Sequence, residues 1–146
     1  MIDLPRTALR AATPADAARI AELFTEEGYP VTPSVVEARL ARFADDASRV
    51  IVADVDGIVI GFVAFHVMPR FEHDDVAVRV LALVVDPGAR ERGVGRGLLV
   101  EVERVAAEAG AAFVEVTAGH HRPDARHLYE SMGYDASLTA YLRKRV

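Results

Sequence analysis

The 146-residue sequence contains no cysteine. This absence excludes a disulfide scaffold, a thiolate nucleophile, a thiolate zinc site and an iron–sulfur cluster. No apolar run reaches the roughly 18 residues that predict a membrane-spanning helix. Residues 1–10 also lack the basic and then apolar pattern of a secretory signal. We therefore expect a cytoplasmic protein with no membrane partner.

A surplus of basic residues is missing as well. The chain has 17 Lys and Arg residues against 22 Asp and Glu residues, a formal net charge of −5. Nucleic-acid-binding domains usually carry a basic surplus, so the balance argues against nucleic acid as a partner. The hydrophobic share of 51% excludes wholesale disorder. The length predicts a single domain over residues 1–146.

Apolar residues recur at strand spacing in some segments and at helix spacing in others, which predicts an α/β or α+β fold. The element order is predicted to be β-α-α-β-β-β-α-β-α-β, with strands at residues 8–12, 50–55, 58–67, 76–85, 113–118 and 134–142. Thr13 and Asp16 have the spacing of a capping box at the first helix. Asp56 and Gly57 predict a tight hairpin turn. The almost wholly apolar run 76–85 predicts a central strand covered on both faces.

The segment from Val85 to Gly97, Val-Asp-Pro-Gly-Ala-Arg-Glu-Arg-Gly-Val-Gly-Arg-Gly, lies between that strand and an amphipathic helix. Glycines let a ligand approach the backbone closely, and the first N–H groups of a helix have no intrahelical partner. Between Gly88 and Gly97, three arginines and one glutamate give a local charge of +2. The pattern therefore predicts an anion site, preferably for phosphate.

Two better-known phosphate loops do not fit this segment. No Gly-Lys-Ser/Thr follows, which excludes a Walker loop. The glycine spacing and the preceding hairpin differ from the dinucleotide-binding fingerprint. A glycine-rich turn with solvated arginines is the structural alternative.

The same residues resemble the acyl-coenzyme A (acyl-CoA) loop of the GNAT superfamily of acetyl-CoA-dependent N-acetyltransferases. A second segment, Ala-Arg-His-Leu-Tyr-Glu-Ser-Met-Gly-Tyr at residues 125–134, is similar to that family's A-x-x-x-Y-E-x-x-G-F/Y motif. The resemblance covers essentially the whole chain. It implies a mixed, mainly antiparallel central sheet flanked by helices, acetyl-CoA as co-substrate and no metal.

The resemblance also implies roles for individual residues. The backbone of Leu83, Val84 and Val85 would pair with the pantetheine arm. Arg90 and Glu91 would shape the loop. The pyrophosphate would be held by the amides of Arg92, Gly93, Val94, Gly95 and Arg96. Tyr129 falls on the family's tyrosine, which protonates the departing thiolate.

These parts suit the direct attack of a primary amine on a thioester. A main-chain N–H near Val85 is the expected donor to the oxyanion. A phenol with a pKa of about 10 can act as the acid for a thiolate whose conjugate acid has a pKa of about 8.5. No covalent enzyme intermediate is required. The acceptor is an amine of an unidentified small molecule or peptide.

The sequence departs from the family in the region of the general base. Many members carry a glutamate on the central strand, where this chain reads Arg-Val-Leu-Ala at residues 79–82. Glu115, on the next strand, is the nearest alternative, and its other interpretation is a solvent-facing residue. A water relay, His120 or His121 are further candidates. Arg122 stands where an asparagine is common.

Three questions stay open at this level. His120, His121 and His127 lack the acidic ligand and the spacing of a metal site. A homodimer is possible, since it is common in the resembling family. The rival functions are a non-catalytic acyl-CoA sensor and a nucleotide-binding module that uses the same loop.

Overall fold

The computed structural model describes residues 6–118 and 123–146. Its elements, in chain order, are β1 (Thr7–Ala11), α1 (Ala17–Glu26), α2 (Pro33–Ala41), β2 (Ser48–Val55), β3 (Ile58–Pro69), β4 (Val76–Val85), α3 (Val94–Glu108), β5 (Ala111–Val116) and α4 (Pro123–Ser131). None of the helices in these ranges has the length and apolarity that crossing a bilayer requires.

The five strands form one sheet in the order β1-β2-β3-β4-β5. The first four strands are antiparallel, and β5 runs parallel to β4. One face packs against α3 and α4 around Phe65, Leu98 and Leu99. The opposite face packs against α1 and α2 around Phe62 and Leu23. The predicted mixed, mainly antiparallel sheet between helices is confirmed.

The hairpin between β2 and β3 has the geometry that the sequence predicts. Asp56 has φ 52° and Gly57 has φ 87°, so both central residues of the turn have positive φ. A type I′ turn requires this, and its twist matches that of the flanking strands. The turn joins β2 to β3 and pairs Val55 with Ile58 at the start of their register.

Asp16 ties β1 to the start of α1. It is the only charged residue buried within the described ranges, with a relative exposure of 7%. Its carboxylate accepts hydrogen bonds from both terminal nitrogens of Arg10 at 2.9 Å and from the N–H of Thr13 at 2.8 Å. The Arg10 guanidinium, more than any other group, lowers the pKa of Asp16 below its ordinary value.

We expect Asp16→Asn to lower the free energy of unfolding by about 2–3 kcal/mol at neutral pH, because Arg10 loses the more buried of its two carboxylate partners and keeps only Asp54. Since the folded-state pKa of Asp16 is depressed, its contribution is complete above the unfolded-state pKa and is lost as the pH falls through the folded-state pKa. Urea unfolding of both proteins from neutral pH to about pH 3 should show the difference narrowing. Glu22, an exposed partner of Arg19 on α1, provides the control, and Glu22→Gln should cost less than about 1 kcal/mol. A difference that stays constant with pH would contradict this account.

The strand predicted at residues 134–142 is wrong. This segment has no strand structure, and the described sheet ends at β5. Asp135 accepts bonds from the N–H of Ser137 at 2.8 Å and from its hydroxyl at 2.7 Å, which turns the chain after α4. Leu138 and Leu142 then stay exposed. Alternating apolar residues make a strand only where a sheet edge pairs with them and a core covers one face.

Candidate active site

The strands β4 and β5 separate halfway along β4. Their last paired residues are Val80 and Val116. On the other side of β4, pairing with β3 continues to Val85, but Leu81 is skipped as a bulge. A bulge bends its strand and increases the local twist. The second half of β4 therefore has an open edge that faces a gap in the sheet.

The backbone of Leu83 and Val85 faces this gap. The N–H of Asp86 donates to the carbonyl of Ile60 on β3 at 2.8 Å. Backbone groups of successive residues in a strand point alternately to opposite sides, so those of Val84 point to β3 and those of its two neighbours point away from it. The gap can thus accept an extended ligand that pairs with Leu83 and Val85.

The loop after β4 leads into α3 through two backbone positions with positive φ. Glu91 has φ 62° and Gly93, which precedes the first helical residue, has φ 84°. The N–H of Gly97 donates to the carbonyl of Gly93 at 2.9 Å, the first bond of the helix. The N–H groups before it have no intrahelical acceptor. This helix start has the donors that a phosphate group requires.

Gly95 lets the first turn of α3 lie close to β4 and α4. A Cβ atom at this position would lie 3.0 Å from Cδ2 of Leu128 and 3.7 Å from Cγ2 of Val85. The first distance is tighter than nine in ten contacts that real Cβ atoms make. Because Gly95 has no side chain, the first turn of α3 and its free N–H groups can lie next to the open end of β4.

Long-range ion pairs hold this loop. The guanidinium of Arg90 donates to the carbonyl of Val85 at 3.3 Å and pairs with Glu27, at the end of α1. Asp86 accepts from the N–H of Gly88 at 2.8 Å and pairs with Arg19 of α1. The Gly88 N–H, followed by Arg19, lowers the pKa of Asp86.

Tyr129 lies at the gap, on α4. Its relative exposure is 7%, and its ring meets that of Tyr134 edge-on at a centroid distance of 6.0 Å. It lines a cavity of about 370 Å³ between the separated strands, together with Leu83, Val116 and Phe24 of α1. The neighbouring Tyr134 hydroxyl donates to Glu103 at 2.9 Å. Burial, followed by that carboxylate, raises the pKa of Tyr134.

Glu115 lies opposite Arg79, in register across the parallel strands. The Nε and one terminal nitrogen of Arg79 lie 2.7 Å and 2.6 Å from the same oxygen, Oε1 of Glu115. The exposure of Glu115 is intermediate, so Glu115 is not a fully solvent-facing residue. Glu115 and Tyr129 both line a larger cavity, of about 750 Å³, between β5, α4 and the chain that follows α4.

Comparisons with known proteins agree with this geometry. Residues 17–134 match the model of the acetyltransferase (GNAT) family. This chain belongs to the GNAT acetyltransferase family. An uncharacterized N-acetyltransferase of Bacillus subtilis (strain 168) is 33% identical to it over 136 residues, which cover 87% of this chain and 89% of that protein. The protein is thus an acyltransferase.

Two further similarities extend the comparison. An aminoalkylphosphonate N-acetyltransferase of Salmonella typhimurium is 32% identical over 82 residues, 56% of this acetyltransferase and 53% of that protein. The structure of an aminoglycoside N-acetyltransferase in complex with CoA superimposes with a TM-score of 0.79 at 18% identity, covering 96% and 95% of the two chains. At that identity the second comparison shows the shared fold.

Some candidate residues fall outside the part of the acetyltransferase that the structure describes. These are His120, His121 and Arg122. Within the described ranges, no three His, Asp or Glu side chains are placed to hold a metal ion together.

The sequence reasoning missed three features of this site. They are the bulge at Leu81, the Glu27 partner of Arg90 and the presence of Arg143 on the wall of the smaller cavity. Glu27 is 63 residues from Arg90 along the chain. No local pattern signals such a pair, because it depends on how α1 packs on the sheet.

Proposed function

We propose that the protein is an N-acetyltransferase that transfers an acetyl group from acetyl-CoA to a primary amine of a small molecule or peptide. One observation carries this proposal: the free N–H groups at the start of α3 lie next to the open edge of β4. The arrangement suits a ligand with a phosphate end and an extended amide-containing arm. We propose that the single domain works in the cytoplasm.

The proposed donor site combines two kinds of backbone contact. The pantetheine arm would pair with the open edge at Leu83 and Val85, with Val84 holding the strand to β3. Arg90 and Glu91 keep the loop in shape. The pyrophosphate would be held by the amides of Arg92, Gly93, Val94, Gly95 and Arg96. Because these donors are backbone groups fixed by a helix and a sheet, they bind without further ordering.

When bound, acetyl-CoA supplies the acetyl group as a thioester. The acceptor nitrogen forms a bond to the acetyl carbon, and the carbon–sulfur bond breaks. The N–H of Val85 points into the gap and would stabilise the negative charge on the acetyl oxygen. Tyr129 donates its hydroxyl proton to the leaving sulfur.

The amine must lose a proton, and we assign this step to Glu115 or to an ordered water relay. Both bonds from Arg79 reach Oε1 of Glu115, and no hydrogen bond from a described residue reaches Oε2. That second oxygen can therefore hold a water molecule or a proton. Because Glu115 lines the larger cavity and not the smaller one, the proton passes from the amine through water to this oxygen and then to solvent.

The proposal is tested by measuring thiol release from acetyl-CoA with and without a panel of primary amines, together with detection of the N-acetylated product. We expect release that depends on the amine. A protein that binds acetyl-CoA but transfers to none of the amines would favour the non-catalytic sensor. Competition by ATP as strong as that by CoA would favour the nucleotide-binding module.

A further inference from the structure

The names of the relatives leave the charge of the acceptor open. The residues that line the smaller cavity, between the separated strands β4 and β5, indicate which charge the acceptor carries. Most of the residues that line it are apolar, with Phe24, Leu81 and Ala125 among them, and Tyr129 lines it as well. Of the described residues that line it, Arg143 alone carries a charge. A single guanidinium on an apolar wall attracts anions and repels cations.

Arg143 reaches the cavity from the chain that follows α4. Its guanidinium lies over the ring of Tyr141, 5.4 Å from the centroid, and donates to the Tyr141 hydroxyl at 3.4 Å. Among the described groups, Tyr141 alone raises the pKa of Arg143, and no carboxylate contributes. The guanidinium therefore has nitrogen donors left for an anionic ligand.

Arg79, the second guanidinium that acts on Tyr141, is already paired with a carboxylate. The register places Arg79 opposite His66, on the same face of the sheet as Ala64 and Ala82, which pack with α1 and α2. Arg79 already binds Glu115. Arg143, followed by Arg79, lowers the pKa of Tyr141, so both guanidinium groups act on the same region.

We infer that the acceptor is an amine that also carries an acidic group, a carboxylate or a phosphonate, and that Arg143 binds this group while the amine points toward Tyr129. The inference rests on the proposed acetyl transfer. A guanidinium offers two parallel N–H donors to either kind of oxyanion. Arg143 is thus a specificity-determining residue. Acceptors with several positive charges would face its repulsion.

The experiment compares four amines of similar length with the wild-type protein and acetyl-CoA. They are 2-aminoethylphosphonate, β-alanine, propylamine and 1,3-diaminopropane. We expect kcat/KM for the better of the two acidic amines to exceed that for propylamine at least about tenfold, with 1,3-diaminopropane the poorest. The first two amines distinguish a phosphonate from a carboxylate as the preferred group.

Two variants test whether Arg143 causes the preference for acidic amines. Arg143→Gln should raise KM for the acidic amines about tenfold or more and bring their ratio to propylamine close to one. Arg143 and Arg145 are both exposed, and Arg145→Gln removes the same charge, two residues away, from a position that does not line the cavity. It should keep the wild-type preference. Propylphosphonate, which lacks the amine, should compete with the acidic acceptor in the wild type and in Arg145→Gln but not in Arg143→Gln.

The outcomes separate this inference from the function on which it rests. Acetyl transfer that favours propylamine or 1,3-diaminopropane would overturn the inference and leave the N-acetyltransferase proposal intact. An acidic preference that Arg143→Gln and Arg145→Gln reduce equally would overturn the role of Arg143. Absence of transfer to every amine would overturn the proposed function and the inference together.

Discussion

Replacing Tyr129 by phenylalanine is expected to lower kcat about 100- to 1,000-fold, the usual contribution of a positioned general acid. The substitution removes one oxygen from a side chain whose relative exposure is 7% and leaves its ring in the core. The affinity for acetyl-CoA should change less than about twofold, since backbone groups of β4 and α3 form the proposed donor site. Steady-state kinetics and calorimetric titration measure the two quantities.

Tyr134→Phe is the matched control for Tyr129→Phe. The two rings touch, but the Tyr134 hydroxyl donates to Glu103 on α3. Removing it should cost about 1–2 kcal/mol of folding stability and leave kcat unchanged. Equal losses of kcat in both variants would show that packing of this ring pair, rather than the Tyr129 proton, limits the rate. A fully active Tyr129→Phe protein would show that Tyr129 is not the general acid.

Gly95→Val is expected to weaken acetyl-CoA binding about 5- to 150-fold. Even the Cβ atom would lie 3.0 Å from Cδ2 of Leu128 and 3.7 Å from Cγ2 of Val85, so we expect the larger side chain to displace Leu128 and to shift the first turn of α3. Overpacking of this kind costs about 1–3 kcal/mol, which corresponds to that range in affinity when the binding site itself moves. Gly95→Ala, with one methyl group, should show a smaller loss in the same direction.

Gly97→Ala is the control in the same helix. A Cβ atom at Gly97 meets nothing within 4 Å, and its N–H already donates to Gly93. Alanine should stabilise the helix by up to about 1 kcal/mol and leave the affinity unchanged. Thermal unfolding shows whether each variant is folded before its titration is interpreted. Wild-type affinity in a folded Gly95→Val protein would place the ligand elsewhere.

Local patterns predicted those parts of the molecule that local chemistry determines. Asp56 and Gly57 adopt the turn that their residue types favour. Asp16 is also the acid of a capping box, as its spacing after Thr13 predicts. In each case the interacting groups lie within a few residues of one another.

Features that depend on distant segments could not be predicted in this way. The bulge at Leu81 arises from the register between β3 and β4, and the Arg90–Glu27 pair arises from the docking of α1. The apolar alternation after Tyr134 suggested a strand, but a strand requires a neighbour, and none pairs with it in the described sheet. Arg143 showed no signal because only the folded chain brings it beside the gap between the strands.

The most direct test of the central claim is the release of CoA thiol from acetyl-CoA by the wild-type protein, measured with and without a primary amine and paired with detection of the acetylated amine. The account predicts amine-dependent release, one acetylated amine per thiol, and loss of both in Tyr129→Phe. Thiol release without acetylated amine, or no release with any amine although acetyl-CoA binds, would contradict it.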